Sequence, residues 1–290
     1  MCGLAFGLVA ESASGATIRY RQSGDWNLTA PDNTGPGWQN VAEVPGVGDL
    51  GRINWGDNTV TVTTPESIGS LQVGVDEKGT LVIANGGGLT TVGGSGQNGN
   101  VTIGQGNNPA GTGTMLVESG GVLNVGNILY HGINAEGTSN INGMVNVSSH
   151  LWTGWGAGTI GTINVNDGGG LNVSGMLGLN WQDNGALGFL NINNGGIVNL
   201  AQIHSSGNSI RGDSLLTIAG TGMLTKTGNF VNVINQQYID TGKIVGDGGL
   251  ELVVTHDSIL DLTTVTVIPE PGSLMMVGLA GLGLMMRRRR

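Results

Sequence analysis

From Gly79 onward the chain is built of short runs in which apolar and polar residues alternate. Leu, Ile or Val is followed by Thr, Asn or Ser, and the runs come in pairs separated by a Gly-Gly step. Alternation at period two predicts a strand with one buried face, and paired glycines between two such runs predict a tight turn. The pairs recur. GTLVIANGGGLTTVGG starts at Gly79 and GTMLVESGGVLNVGN at Gly113. GTSNINGMVNVSS starts at Gly137, two residues shorter at the turn. GTINVNDGGGLNVSG, GFLNINNGGIVNLAQ and SLLTIAGTGMLTKTG start at Gly161, Gly188 and Ser214. The starts are 34, 24, 24, 27 and 26 residues apart, and the long first interval holds a corner insertion, GGSGQNGN at residues 93–100. A third short apolar stretch follows the pair in most units: Ile128–Tyr130, His150–Trp152, Met176–Leu179 and Gln202–His204.

Three strands in each repeat of roughly 25 residues predict an all-β chain folded as a right-handed parallel β-helix. One coil cannot bury its apolar face alone, whereas stacking sets each apolar residue above its counterpart. The expected inward column is Leu123, Val145, Leu171 and Val198, with Val125, Val147, Val173 and Leu200 beside it. Between them lie Asn124, Asn146, Asn172 and Asn199, and in the first strand Asn140, Asn164 and Asn191, which are expected to form amide ladders along the axis. The alternative is an outward polar row that binds sugar or ordered water. Residues 79–230 carry the repeats. Residues 17–78, with Trp26, Trp38 and Trp55, are expected to be an N-terminal cap and first partial coil, and residues 231–267 a closing set of strands.

Composition sharpens this picture. Glycine supplies 56 of 290 residues, near a fifth against the usual ~7%. There is no Gly-X-Y triplet, which excludes collagen, and the alternation excludes a disordered Gly/Pro chain. Between Thr17 and Pro271 there are 7 basic and 19 acidic residues, a net −12, which excludes electrostatic binding of nucleic acid or anionic lipid. Cys2 is the only cysteine, so the body has neither disulfide nor thiolate chemistry.

The two ends read as addresses. An apolar run from Gly3 to Ala10, followed by Ser14-Gly15-Ala16, predicts a signal peptide over residues 1–16, cut before Thr17. Its basic n-region is missing, so it is either a truncated signal peptide or not a signal peptide; the truncated reading is taken because the tail independently implies export. At the other end, residues 268–290 hold Pro269-Glu270-Pro271, sixteen uncharged residues from Pro271 to Met286, and Arg287, Arg288, Arg289 and Arg290. As a helix at ~1.5 Å per residue that run falls a little short of a ~30 Å hydrocarbon core, and the arginines would stay on the cytoplasmic side. It is either a permanent anchor or a sorting signal that is cut. In this order, at the C-terminus, these features resemble the PEP-CTERM sorting signal. The resemblance implies export, recognition by the membrane protease exosortase, and removal of the tail, in bacteria that make exopolysaccharide. Before processing, the C-terminal hydrophobic helix would hold the chain in the inner membrane; afterwards the body would be at the cell surface or extracellular. The stretch Tyr238–Ile244 is similar to a YI-x-x-GKI pattern in other proteins with this signal.

Candidate chemistry in the body is sparse. Many parallel β-helices are polysaccharide lyases or hydrolases, which need clustered carboxylates or a cation at the scissile bond. From Gly79 to Phe230 the carboxylates are Glu118, Glu136, Asp167, Asp183 and Asp213, no two within ten residues. The loop Gly93–Val101 differs from a calcium nonapeptide, with Asn98 in place of its aspartate, and is read as a turn. His131, His150, His204 and His256 lack metal spacing and are expected on the surface or at corners. Trp152, Trp155 and Trp181 fall in adjacent coils and are either corner packing or an aromatic platform for sugar rings. The expectation is an exported, non-catalytic structural or adhesive protein of the cell surface or extracellular matrix, without metal or cofactor. Exosortase is its expected partner at the tail, with exopolysaccharide or neighbouring surface proteins as candidate partners of the body. The alternative is a secreted polysaccharide-active enzyme.

Overall fold

The computed structural model describes residues 15–32, 34–94, 96–106 and 111–268. The sorting motif Pro269–Pro271, the hydrophobic run, Arg287–Arg290 and nearly all of the expected signal peptide lie outside the described residues.

The body is a parallel β-helix with three sheets. The first sheet contains Asn58–Val62, Gly79–Ile83, Gly113–Val117, Gly137–Ile141, Ile160–Val165, Leu187–Ile192 and Leu215–Ile218, each paired parallel with the next. The second contains Pro65–Ile68, Gly88–Thr91, Val122–Val125, Met144–Val147, the start of Gly170–Leu179, Ile197–Gln202 and Met223–Thr227. The third contains Thr17–Arg21, Leu50–Ile53, Ser70–Val73, Val101–Ile103, Leu129–His131, Leu151–Thr153 and the end of Gly170–Leu179. Gly170–Leu179 turns the corner unbroken and belongs to both sheets.

The repeat starts coincide in space as in sequence: Gly79, Gly113, Gly137, Gly161 and Gly188 are consecutive partners, and Gly188 N–H donates to Ser214 Oγ. The expected columns are buried. Leu123, Val145, Leu171 and Val198 are fully inaccessible, and Val125, Val147, Val173 and Leu200 nearly so. Between them Nδ2 of each asparagine donates to Oδ1 of the one before: Asn146 to Asn124, Asn172 to Asn146 and Asn199 to Asn172, at 2.9, 2.8 and 2.6 Å. Asn164 to Asn140 and Asn191 to Asn164 make the second ladder. A third ladder, not expected from the sequence, runs along the corner between the first two sheets, Asn193 to Asn166 to Asn142. Each such bond is worth ~1 kcal/mol net, and each amide finds its partner only if the coils stay in register.

The helix begins earlier than the glycine-rich repeats. Asn58–Val62, Pro65–Ile68 and Ser70–Val73 already supply all three sides of a coil, with Thr63-Thr64-Pro65 where later coils have Gly-Gly. Above it, Tyr20, Trp26 and Trp38 plug the open end. All three are inaccessible and meet edge to face at 5.0 and 4.8 Å, and Trp38 Nε1 donates to Trp26 O. Gly51 makes room, since a Cβ there would lie 2.7 Å from Ile68 Cδ1 and 3.0 Å from Trp38 Cη2. Trp55 is outside this plug, 42% exposed.

At the far end the expected strands are only partly present. Val231–Ile239 is helical, because Ile234 and Tyr238, four apart, share one face and are buried. Ile244–Gly246 then ends the first sheet, and the hairpin Leu252–Asp257/Leu262–Val267 pairs antiparallel with Met223–Thr227. The third stretch at Gln202–His204 also differs from expectation: its place under Leu179 is taken by Ile210. Within the second sheet, the inward column of Val125 ends on Lys226, which packs over the Phe230 ring and donates to Thr227 O.

One histidine departs from the expected surface or corner placement. His131 is an inward member of the third sheet, between Ile103 and Thr153, fully buried, with Nε2 2.5 Å from Ser139 Oγ. Burial drives it down to about 3 from an ordinary value of 6.5.

Two predictions follow from this packing. Leu171→Ala should cost about 2–5 kcal/mol and Leu171→Asp more, because a charge replaces a methyl-lined contact with two neighbouring coils; urea unfolding monitored by circular dichroism measures both. For His131, the unfolded chain takes up a proton below pH ~6.5 and the folded chain does not until about 3. Its neutral form therefore leaves stability unchanged above pH ~6.5 and lowers it by ~1.4 kcal/mol per unit as the pH falls from there toward 3. Comparing urea midpoints at neutral and mildly acidic pH, the parent should lose more stability than His131→Leu.

Candidate functional site

The third sheet turns one column of side chains outward. In register it reads Arg19, Arg52, Gln72, Thr102, Tyr130, Trp152 and Gly178. At the corner that follows, each coil repeats one backbone device: a left-handed residue and then a side chain aimed along the edge. The left-handed positions are Gly74, Gly104, Gly132, Gly154 and Asn180, with φ of 68°, 76°, 66°, 67° and 53°. Their N–H groups donate to Ile53, Val73, Ile103, His131 and Thr153 carbonyls in turn, which fixes the stacking. The residues behind them form a second column, Val75, Gln105, Ile133, Trp155 and Trp181.

The two columns bring the sequence-predicted tryptophans together. Trp152 and Trp181 lie 4.8 Å apart between ring centroids, and Trp152 and Trp155 5.9 Å. Trp152 lies flat because its partner in the next coil is glycine: a Cβ on Gly178 would come within 2.3 Å of its six-membered ring. It is itself 7% exposed, so Trp155 and Trp181 present the accessible indole surface above it. Around them stand residues that the sequence did not connect to these tryptophans. Tyr130 meets Trp155 edge-on at 5.7 Å. His150 stacks on Trp152 at 5.0 Å, His204 lies 6.4 Å from Trp181, and the Arg211 guanidinium sits 4.8 Å over Trp181 while donating to its carbonyl. Burial raises the Tyr130 phenol above its ordinary value, so it stays a neutral hydroxyl at neutral pH.

Next to this aromatic ribbon is a groove of about 340 Å³. Gln72, Thr102 and Tyr130 form its floor, and Gln105, Ile133 and Trp155 one wall. The other wall is the inserted loop, whose Gly93–Gly94 and Gln97–Asn98 pair as a small antiparallel hairpin. Gln97 lies across Gly69, where a Cβ would be 2.7 Å from its Cγ. The loop read from sequence as a plain turn therefore shapes the groove. Gln72 accepts from Arg52 Nε at 2.8 Å, which orients its amide and leaves its NH₂ group as a donor. Gln105 Oε1 is buried without a hydrogen-bond partner, a state that costs about 1–3 kcal/mol.

The carboxylates lie elsewhere. Glu118 and Asp167 belong to the corner between the first and second sheets, where Glu118 accepts from Asn85 N–H and Asp167 adjoins Gly195. Asp183 lines a separate cavity with Arg211 and Lys243, and Asp213 follows Gly212 on the same loop. Among the described residues no three His, Cys, Asp or Glu side chains gather as a metal site, and no helix is long and apolar enough to cross a membrane.

A comparison with curated proteins found no match. The family model of the PEP-CTERM protein-sorting motif matches residues 267–290, beginning at Val267, where the last strand of the closing hairpin ends. The body thus hands over directly to its address: the chain carries a PEP-CTERM protein-sorting motif, which marks it as an exported protein sorted by exosortase to the cell envelope or surface.

Proposed function

We propose that the exported body is a non-catalytic rod of the cell surface or extracellular matrix that contacts polysaccharide or neighbouring proteins along its sides. The observation that carries this reading is the continuity of the stack. Three hydrogen-bonded asparagine ladders and buried, mainly apolar columns run through successive coils, so the body is stiff along one axis. Hydrolysis or elimination calls for free charged groups around one bond; Glu118 and Asp167 stand two coils apart, away from the amide-lined groove, and at the cavity of Asp183 the Arg211 guanidinium and Lys243 ammonium are engaged by the Trp181 and Gly212 carbonyls. The tail serves delivery. The hydrophobic run holds the chain in the inner membrane with Arg287–Arg290 on the cytoplasmic side until exosortase acts near Pro269-Glu270-Pro271.

Two measurements test this. Protein recovered outside the cell should have an intact mass that lacks Arg287–Arg290; recovery of the full-length chain as a soluble cytoplasmic protein would overturn the delivery step. Incubated with matrix polysaccharide, the purified protein should release neither reducing ends nor unsaturated sugars, and release of either would establish the enzymatic alternative.

A further inference from the structure

The groove on the third sheet has a composition that selects its ligand. Its floor and walls combine two aromatic rings, Tyr130 and Trp155, with the amides of Gln72, Gln97, Asn98 and Gln105, and no charged side chain lines it. An aliphatic ligand would bury those amides unpaired. An acidic ligand would call for a cation in the lining. A peptide adding as a strand needs a free sheet edge, and the strands beneath, Ser70–Val73, Val101–Ile103 and Leu129–His131, are each paired on both sides. A sugar ring fits both features. Its C–H face packs on an aromatic ring, and its hydroxyls donate and accept as amides do.

The geometry adds direction. Gln72, Thr102 and Tyr130 are successive members of one column, so the floor runs along the rod at the ~4.8 Å spacing of neighbouring strands. Beyond the groove the same face continues to Trp152 and Trp181. Tyr130 is held edge-on by Trp155, and Trp155 lies against Trp152, so the rings are fixed before any ligand arrives, which lowers the entropy lost on binding. The Gln105 side chain lines the wall. We propose that this groove binds a neutral polysaccharide chain lying parallel to the β-helix axis. The proposal rests on the non-catalytic surface reading above and names the ligand class of that surface.

The test uses the full-chain protein and four hexasaccharides: cellohexaose, laminarihexaose and mannohexaose as neutral probes and hexagalacturonate as the acidic one. Binding is read by tryptophan emission and by isothermal titration calorimetry. At least one neutral hexamer should bind and shift the emission, and the acidic hexamer should not. Tyr130→Ala combined with Trp155→Ala should weaken binding roughly tenfold or more. Gln105→Leu, which keeps the corner backbone and removes the wall amide, donor and acceptor together, should weaken it about threefold to tenfold; it decides the matter if the aromatic variant melts early. Failure of all neutral hexamers to bind, equal binding of the acidic one, or unchanged affinity in folded Gln105→Leu would overturn the groove. New reducing ends during the titration would instead overturn the non-catalytic reading and leave binding at the groove standing.

Discussion

Everything in this body depends on parallel strands stacked in register. Each residue sits one strand spacing, ~4.8 Å, above its counterpart in the coil below, so the chain must repeat the same side-chain chemistry at the same place or leave a hole or an unpaired polar group. Leucine lies over valine over leucine in the core, and asparagine over asparagine on the sides. A single asparagine between two strands would gain little; three ladders of them turn the requirement for register into a cooperative set of hydrogen bonds. The left-handed residues at the third corner have the same origin. Every coil must turn there in the same sense, and glycine or asparagine takes that conformation at least strain.

A stack of this kind is open at both ends, and an open end is a template for another chain. The N-terminal end is closed by mass: Tyr20, Trp26 and Trp38 fill the lumen over Gly51. The C-terminal end is closed by a change of direction. The hairpin at 252–267 pairs antiparallel to the last coil, and Ile234 and Tyr238 of the short helix cover the core beside it. Lys226, the last parallel member of its inward column, packs over the Phe230 ring and is followed by Thr263 of the hairpin in place of another apolar coil. The sorting motif starts at Val267, the last residue of this closing strand.

The sides of the rod differ. The corner between the first two sheets carries an asparagine ladder and isolated carboxylates, whereas the third sheet carries the aromatic ribbon and the groove. That asymmetry arises from the insertion at residues 93–100 and from glycine at 178, which together leave room beside and beneath the rings. In the function proposed above, the third-sheet face is the one that would make many weak contacts in parallel.

The repeat starts, the two inward columns and two of the asparagine ladders were legible in the sequence, because in-register stacking writes its periodicity directly into the residue order. The delivery signal was equally legible, since Pro269-Glu270-Pro271, an apolar run and an arginine cluster are read as local sequence. Features that depend on neighbouring coils were not. The third ladder was missed although Asn142, Asn166 and Asn193 each stand five residues after Gly137, Gly161 and Gly188, because they lie at the turn, just outside the alternating strands. The coil at 58–73 lacked the Gly-Gly marker, and the alternation Val231-x-Val233 concealed a helix that forms because Ile234 and Tyr238 must both face the end of the core. His131 looked like a surface residue until its place between Ile103 and Thr153 put it inside. Tyr130, Gln72, Gln105 and Asn98 are separated by up to 58 residues and become one groove only when coils and loop are superposed. Sequence determined the repeat, and tertiary structure decided which outward residues meet, because contacts between coils depend on the exact length of every turn between them.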